Sequence, residues 1–342
     1  MQPEHPRAPA PLRTPAPRAD LLLPLDGVLS RPPGRPAYYV LERRAPGSDE
    51  VIQRGVLGSL ALHGVESGHV LRHQQVIEDL VRHQARLLKE RGGTAQPLLL
   101  AAPDLGAFGR CVEEAVGRPP DHESIAPDGG RRRVWVSAGP WDGGPPALPP
   151  VLLADGHHRL AAARLLHRRH PGAVADRLPA LVVDHGRYPL TLAAVHRELP
   201  GLDAERAAVA AARVARVDEH PAGPFPPPGP GAFLLTGGGR GWSVSEITPA
   251  AMAARMRFQP PEWVELPAAV SDRVLIPALC EDQGVAPAPR YTIGDPAPGT
   301  TALVLPPPTW DQVWAGAAGG SGMPPKSTAL GPPPPPLAGC SA

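Results

Sequence analysis

The sequence predicts a mixed α+β protein. Three observations support this fold class: short apolar runs of strand length, helical spacing of apolar residues in other segments, and glycine or proline breakers between them. At 342 residues the chain is long enough for roughly two domains. Its 50 prolines and an aromatic content of only 4% indicate that a sizeable part of the chain is loop or tail.

Predicted strands alternate with predicted helices in the first half of the chain. The strand-like runs are AYYVLER, RGVLGSLALH, QPLLLAA, PPVLLAD and PALVVDH. Helical spacing appears in QVIEDLVRHQARLLKER, which a GG pair ends, and in HHRLAAARLLHRRH, which Pro171 and Gly172 end. The last two strands enclose the second helix, so the sequence predicts a strand, turn, helix, strand unit there.

A proline-rich segment, HPAGPFPPPGPGAF, is the best candidate for an internal boundary, because such proline density is incompatible with a helix interior or a central strand. We therefore predict a larger α+β region over residues 19–219, a linker over 220–231 and a smaller α+β unit over 232–330. The smaller unit is expected to hold the hairpin AFLLTGGGRGWSVSEI, a helix around SDRVLIPALCED and the strand TALVLP. Residues 1–18 and 331–342 are predicted to be disordered proline-rich termini.

Composition narrows the classes of partner. A formal net charge of +1 offers no dense basic face, so a nucleic acid partner is disfavoured. The first twenty residues have no apolar h-region, and no apolar run approaches the ~20 residues of a membrane span. Cys111, Cys280 and Cys340 lie far apart without CxxC spacing, which argues against a disulfide framework and a thiolate zinc site. We expect a cytoplasmic protein without a membrane partner.

The many histidines also raise the question of a metal site. His157 and His158 are adjacent, and His167 and His170 follow more than two helical turns later, so neither an HExxH motif nor a facial triad is present. The sequence predicts no metal-ligand set.

The turn DGHHR joins the predicted strand PPVLLAD to its helix. Asp155 stands where an N-cap belongs, and Gly156 allows a tight turn. The amides of His157, His158 and Arg159 would then point from the positive end of the helix, and the arginine could add a forked contact to phosphate. This pattern predicts an anion site. The same sequence is also compatible with an ordinary Asp cap followed by exposed basic residues.

Several blocks resemble one family. LLADGHHRLAAARLL closely resembles the signature of the bacterial and archaeal domain of unknown function 1015 family. RGVLGSLALHGVESGHVLRHQQVIEDLV is similar to its glycine-led strand and His-Glu motif, YPLTLAAVHRELPGL to its His-Arg motif, and SGMPPKSTALGP to its Met-Pro-Pro-Lys-Ser-Thr motif. LPLDGV is similar, more weakly, to the family's Pro-Tyr-Asp motif. The blocks follow the family's order and span roughly residues 22–335.

The resemblance implies a ParB/sulfiredoxin-like phosphate-binding region, because the family's turn is similar to that of free serine kinases in that superfamily. There a Gly-x-x-Arg turn binds nucleotide phosphates. For this chain it implies phosphoryl transfer from ATP or ADP, with magnesium, to a serine-like small metabolite. The implied catalytic residues are His73, Asp155, His157 and His158. The implied phosphate- and nucleotide-binding residues are Gly156, Arg159, His196, Arg197, Lys326, Ser327 and Thr328. The oligomeric state and the choice between ATP and ADP stay open.

One departure from the family pattern affects the chemistry. Where the family has His-Glu, this chain has His73 and Gln74, and an amide cannot usefully accept a proton. Glu66, Glu78 and Asp79 are nearby acids that could substitute for it, although Glu78 and Asp79 fit a solvated helix face better. Three hypotheses therefore remain: a kinase of reduced activity, a nucleotide- or phosphate-binding protein without catalysis, and a ParB-like DNA-binding or nuclease protein. The near-neutral charge disfavours the third.

Overall fold

The structure is a computed structural model with both α-helices and β-sheets. The residues whose structure it describes fall into five stretches, 15–25, 36–137, 145–170, 176–221 and 223–337. Parts of the two termini that were predicted to be disordered, residues 1–14 and 338–342, lie outside these stretches.

The chain divides into two compact units. The N-terminal unit runs to Thr191 and is completed by the segment that begins at Leu330, and the C-terminal unit comprises residues 192–329. The division therefore falls before the predicted boundary, and the predicted linker, residues 220–231, lies inside the C-terminal unit. There it joins two strands of one sheet. A surface loop tolerates dense proline as readily as a domain linker does, so composition alone does not separate the two.

A mixed β-sheet with helices packed on it forms the N-terminal unit. Its strands are β1 Leu22–Leu23, β2 Tyr38–Arg44, β3 Val51–Ala61, β4 Val70–Arg72, β5 Leu98–Ala102, β6 His122–Ile125, β7 Arg131–Ser137, β8 Val151–Asp155 and β9 Arg177–Asp184. Its α-helices are α1 Glu78–Arg91, α2 Phe108–Val116 and α3 His157–Arg169, with a short 3-10 turn at Leu62–Gly64. The strand order is β4-β8-β5-β9-β3-β2-β7-β6, and β1 pairs with β3. The pairs β4–β8 and β5–β9 are parallel.

The predicted strand, turn, helix, strand unit corresponds to β8, α3 and β9. Both β5 and β8 are almost entirely buried, as their continuous apolar sequences LLLAA and VLLAD indicate. Leu98, Leu100 and Leu153 belong to a core that also includes Leu160 and Ala163 of α3. The strands β6 and β7 were not predicted, because the RRR of β7 conceals its strand alternation.

The C-terminal unit has its own sheet and its own core. From the junction onward the strands are β10 Thr191–Ala193, β11 His196–Glu198, β12 Arg216–Glu219, β13 Phe233–Gly237, β14 Arg240–Ser245, β15 Arg290–Thr292, β16 Ala302–Val304 and β17 Ala329–Gly331. The helices are α4 Ala204–Ala211, α5 Pro249–Met256, α6 Pro267–Val270, α7 Ile276–Gln283 and α8 Trp310–Ala318, with a 3-10 turn at Pro261–Glu265 and a π-helical turn at Ser271–Leu275. The sheet order is β12-β14-β13-β16-β11-β15. The predicted hairpin corresponds to β13 and β14.

The proline-rich tail is ordered further than the sequence predicts. Gln53 Nε2 donates to the Pro332 carbonyl at 2.6 Å, and Gln96 Nε2 donates to the Pro334 carbonyl at 2.8 Å. The Leu337 amide donates to the Ala95 carbonyl at 2.7 Å. Prolines have no N–H group but retain their carbonyls as acceptors, so glutamine side chains can hold such a segment against a sheet. The predicted tail therefore contributes structure up to Leu337.

The described helices were also compared with the length and hydropathy of a membrane span. None of those in residues 15–25, 36–137, 145–170, 176–221 and 223–337 is both long and apolar enough to cross a bilayer.

Candidate functional site: the DGHHR turn

Two parallel strands end side by side at the edge of the N-terminal sheet. Arg72 of β4 lies opposite Leu153 of β8. Because the carboxyl ends of parallel strands meet at the same edge, the residues that follow them come together. His73 and Gln74 follow β4, and the DGHHR turn, residues 155–159, follows β8. Two motifs that are about 80 residues apart in sequence thus form one site in the N-terminal unit.

Glycine is required at the centre of the turn. Gly156 is the N-cap of α3 and has a φ of 101°, in the left-handed region that other residues avoid. A Cβ atom there would lie 2.4 Å from Leu98 Cδ2 and 3.0 Å from Arg159 Nη2. The expectation that Asp155 caps the helix is wrong, because its carboxylate pairs with Arg159 instead. The N-cap residue Gly156 makes no side-chain cap hydrogen bond.

We predict that Gly156→Ala lowers the free energy of unfolding by roughly 1–3 kcal/mol. Alanine would have to adopt an unfavourable left-handed backbone conformation, and its Cβ atom would clash with the Leu98 side chain. Gly93→Ala is the matched control: no atom lies within 4 Å of its added Cβ. Urea denaturation of both variants measures the difference. Equal stability of the two variants would contradict the strained geometry of the turn.

Arg159 is anchored at the base of the turn. Its Nη2 donates to Asp155 Oδ2 at 2.8 Å and to the Pro97 carbonyl at 3.2 Å. Only 15% of the side chain is exposed, whereas about half of Asp155 is. The Nε atom of Arg159 is buried and has no hydrogen-bond partner among the described residues. The guanidinium is therefore positioned by protein groups and still has a donor that they leave unused.

His73 and His157 form a buried pair beside the turn. Their rings meet edge to face with centroids 4.6 Å apart, and their side chains are almost fully buried. His73 Nδ1 lies 3.0 Å from the Leu153 carbonyl, which only accepts hydrogen bonds, so Nδ1 carries the proton. Gln74 Nε2 lies 3.2 Å from His157 Nδ1 and donates to it. Burial lowers the pKa of His73 to about 4, which makes this ring neutral at pH 7.

The pKa of His73 predicts a pH dependence of stability. The folded value of about 4 lies below the ordinary value of 6.5, so the unfolded chain binds this proton more readily. The contribution of His73 to stability is therefore complete above about pH 6.5 and is lost as the pH falls toward 4. Between these two pH values, the free energy of unfolding should change by up to about 1.4 kcal/mol per pH unit because of His73.

His73→Asn is the comparison for this prediction, since its amide can still donate to the Leu153 carbonyl. Urea denaturation between pH 4 and pH 7 should show a shallower loss of stability in this variant than in the wild type. Parallel pH profiles for the two proteins would rule out His73 as the source.

His158 has a partner in the neighbouring helix. Its Nε2 accepts a hydrogen bond of 3.0 Å from the amide of Ile77, the N-cap residue of α1, which has no side-chain cap of its own. The acceptor nitrogen carries no proton, so His158 is neutral in this arrangement. This contact connects the first turns of α1 and α3. Sequence reasoning assigned His158 to catalysis and missed the capping role, because 81 residues separate the two partners.

The acids that could substitute for the missing carboxylate are already paired. Glu66 accepts from Arg164 Nη2 at 3.0 Å, and this arginine lowers the pKa of the carboxyl group. The acids at the start of α1, Glu78 and Asp79, both pair with Arg82. None of these contacts places a carboxylate beside His157, where Gln74 lies. Within the described stretches, no cluster of three or more His, Cys, Asp or Glu side chains is arranged to hold a metal ion.

Arg197 belongs to the C-terminal unit and is wholly buried there. Its Nε and Nη2 donate to the two carboxylate oxygens of Asp272 at 2.8 and 2.9 Å. Its Nη1 donates to the carbonyls of Val195 and Lys326. Arg197 was expected to bind phosphate, but this geometry commits its donors to the protein. Nothing in the spacing of the sequence indicated Asp272 as its partner.

The remaining expected residues also lie in the C-terminal unit. His196 Nδ1 accepts from the Leu305 amide at 3.1 Å, and burial together with Arg197 lowers its pKa. Ser327 Oγ donates to the Pro324 carbonyl at 2.7 Å, and Thr328 is buried. Lys326 has a φ of 57°, which is uncommon for a residue with a long side chain. Its ammonium group makes no ion pair with any residue that the structure describes, so it can still meet an anion.

Comparison with known proteins gave a family and several similar structures. The family model described as "Protein of unknown function (DUF1015)" matches residues 25–267. No curated protein matches the chain. A free serine kinase in complex with AMP is 15% identical, with 84% of this chain and 91% of that chain covered and a TM-score of 0.42.

Two further solved structures are similar at the same level. A free serine kinase variant in complex with ADP is 15% identical over 84% of this chain and 92% of that chain, with a TM-score of 0.42. A conserved hypothetical protein from Pyrococcus furiosus is 14% identical over 83% of this chain and 93% of that chain, with a TM-score of 0.44. Their ligands are properties of those proteins.

Proposed function

The chain belongs to the family of proteins of unknown function DUF1015, and from this premise we propose that its N-terminal unit binds the phosphate groups of ATP or ADP at the DGHHR turn, in a ParB/sulfiredoxin-like arrangement. One observation carries the proposal. At the start of α3, next to the N-cap Gly156, the buried Nε atom of Arg159 has no partner among the described residues. A helix N-terminus with an adjacent guanidinium is well suited to a phosphate oxyanion.

The proposed chemistry is phosphoryl transfer to the hydroxyl group of a serine-like small metabolite. The acceptor oxygen would form a bond to the terminal phosphorus, and the bond from that phosphorus to the nucleotide would break. Such a reaction depends mainly on positioning and on stabilising charge, which the α3 amides and Arg159 supply. Magnesium, when bound, would neutralise phosphate charge. Asp155 is half-exposed and is the residue that would hold the ion together with the phosphates.

The acceptor hydroxyl must also lose its proton, and here the site is incomplete. Gln74 occupies the position of the family's acid and directs its amide toward His157. His158 Nε2 already accepts from Ile77, and His73 Nδ1 already donates to Leu153. We therefore propose a kinase of reduced activity. The Gln74 contact also supports a second candidate function, a nucleotide-binding protein that has kept the anion site and lost the catalytic step.

The decisive binding experiment uses Arg159→Ala. With ADP or ATP, each with and without magnesium, the wild type should be stabilised by about 2.7 kcal/mol at a hundredfold excess over the dissociation constant. The variant should lose this ligand-induced shift, because charge-assisted contacts to phosphate are removed. Its unliganded stability should fall by only about 1 kcal/mol for the lost bonds to Asp155 and Pro97.

Arg169→Ala is the matched control, since this arginine lies in the last turn of the same helix and is exposed. It should retain the full ligand-induced shift. Equal shifts in the wild type and Arg159→Ala would remove the DGHHR turn as the phosphate site, and no shift in the wild type with any nucleotide would contradict the proposed function.

A further inference from the structure

A cavity lies in the N-terminal unit, between the sheet and the proline-rich tail. Its volume is about 190 Å³. Sites for drug-sized ligands are usually about 300–1,000 Å³, so this one would take a smaller molecule. Its floor is formed by β3, β2, β7 and β6. In the sheet order, β7 is five strand spacings from β8, or roughly 24 Å at ~4.8 Å per strand, so the cavity is separate from the DGHHR turn.

The floor carries one polar row and one apolar row. The strand registers place four polar residues side by side across the four strands: Gln53, Arg43, Arg132 and Ser124. Two positions along each strand, Leu41 pairs with Val134, and His122 of β6 lies at the end of this largely apolar row. Because alternate residues of a strand share one face, both rows face the cavity. The cavity therefore has a charged side and an apolar side.

Arg132 forms no ion pair with any described residue. Its buried Nε atom has no hydrogen-bond partner there, and Asp128, which pairs with Arg43, acts on it only as a nearby charge. The Nε atom of the neighbouring Arg43 is also buried without a partner among the described residues, but this arginine forms an ion pair with Asp128. Burial and the charge of Arg43 lower the pKa of Arg132, but an arginine remains charged under all ordinary conditions. A partly buried cation is costly unless it is paired, so an anion bound beside Arg132 would stabilise it.

The roof of the cavity is apolar and is supplied by the tail. Pro333, Pro335, Pro336 and Leu337 contribute its lining. The hydrogen bond from Gln53 to the Pro332 carbonyl fixes the tail at one end of the polar row. A ligand that fits both surfaces has a single anionic group at one end and a compact apolar body at the other.

We propose that this cavity binds a small monocarboxylic acid, with its carboxylate paired to Arg132 and its apolar part against Leu41, Val134 and the tail prolines. A carboxylate offers two coplanar oxygens to the fork of an arginine and brings one negative charge to Arg132, which forms no ion pair with the described residues. Inorganic phosphate brings more charge and more oxygens, and the apolar roof would leave some of those oxygens without donors.

The test uses the full chain and three probes: sodium benzoate, sodium hexanoate and inorganic phosphate. Isothermal titration should show that benzoate or hexanoate binds with one site per chain and that phosphate binds more weakly. Arg132→Gln should weaken carboxylate binding at least about tenfold, as expected for the loss of a charge-assisted pair. Its unliganded stability should be unchanged or higher, since a partly buried unpaired charge is removed.

Two further variants complete the design. Arg131→Gln is the matched control, because Arg131 is the preceding residue on β7, points to the opposite face and pairs with Asp49. It should bind carboxylates like the wild type. A chain that ends at Gly331 lacks the roof and should lose affinity for hexanoate while it retains its cooperative unfolding. The proposal is overturned if the wild type binds neither carboxylate at concentrations up to about 10 mM, if Arg132→Gln binds them equally well, or if phosphate binds best.

Discussion

Gln74→Glu is expected to raise phosphotransfer to serine-like acceptors by a factor on the order of 10²–10⁴, the usual contribution of a positioned general base. Glutamate has nearly the same shape as glutamine, and the Gln74 amide nitrogen lies 3.2 Å from His157 Nδ1. A carboxylate in that place would accept a hydrogen bond from the imidazole, where the amide now donates one. The substitution therefore adds a base to the site and also reverses the tautomer of His157.

The measurement is nucleotide consumption with detection of the phosphorylated acceptor, for the wild type and Gln74→Glu side by side. Gln75→Glu is the control, because it adds the same charge one residue later on the exposed side of the chain. A gain in Gln74→Glu alone would identify the missing acid. Robust turnover by the wild type would contradict reduced activity, and inactivity of both proteins toward all acceptors would favour the binding protein.

Asp272→Ala is expected to lower the free energy of unfolding of the C-terminal unit by about 3–5 kcal/mol. Arg197 is fully buried, and two of its three nitrogens donate to this carboxylate. The variant would leave a buried guanidinium without its counter-ion. Water does not reach the group easily, so little of the lost interaction is replaced.

Urea denaturation followed by circular dichroism measures this effect. Glu281→Ala is a suitable control in the same unit, because Glu281 forms an exposed ion pair with Arg255 and such pairs contribute little. The double variant Asp272→Leu with Arg197→Met should recover much of the loss, since it removes both charges. A loss below about 1 kcal/mol in Asp272→Ala would show that the pair does not stabilise the unit.

Local patterns in the sequence predicted much of the candidate site. The apolar run before Asp155, the glycine after it and the alanine-rich helix that follows are contiguous signals, and β8, the turn and α3 are found there. The contacts between distant motifs could not be predicted from such local patterns. His158 bonds Ile77 across 81 residues and Arg197 bonds Asp272 across 75, so only the folded chain brings these partners together.

Proline composition was the least reliable guide to organisation. It indicated a domain boundary at residues 220–231, where the structure has a loop between two strands of the C-terminal unit. It also indicated disorder after Leu330, where glutamine side chains hold the backbone carbonyls. Proline excludes helix and central strand in each case. It does not determine whether an extended segment is free or docked, because that depends on donors contributed by distant residues.

The order of synthesis gives the docked tail a further consequence. The N-terminal unit is completed by residues from Leu330 onward, which leave the ribosome only after all of residues 192–329. Until then Gln53 and Gln96 lack the carbonyls to which they donate, and Leu57, on the cavity side of β3, lacks its proline cover. A nascent chain therefore exposes apolar sheet surface for the time needed to translate 138 residues (192–329), at about 5–20 residues per second. During that interval, roughly 7–30 s, the unfinished unit is open to chaperones and to other nascent chains.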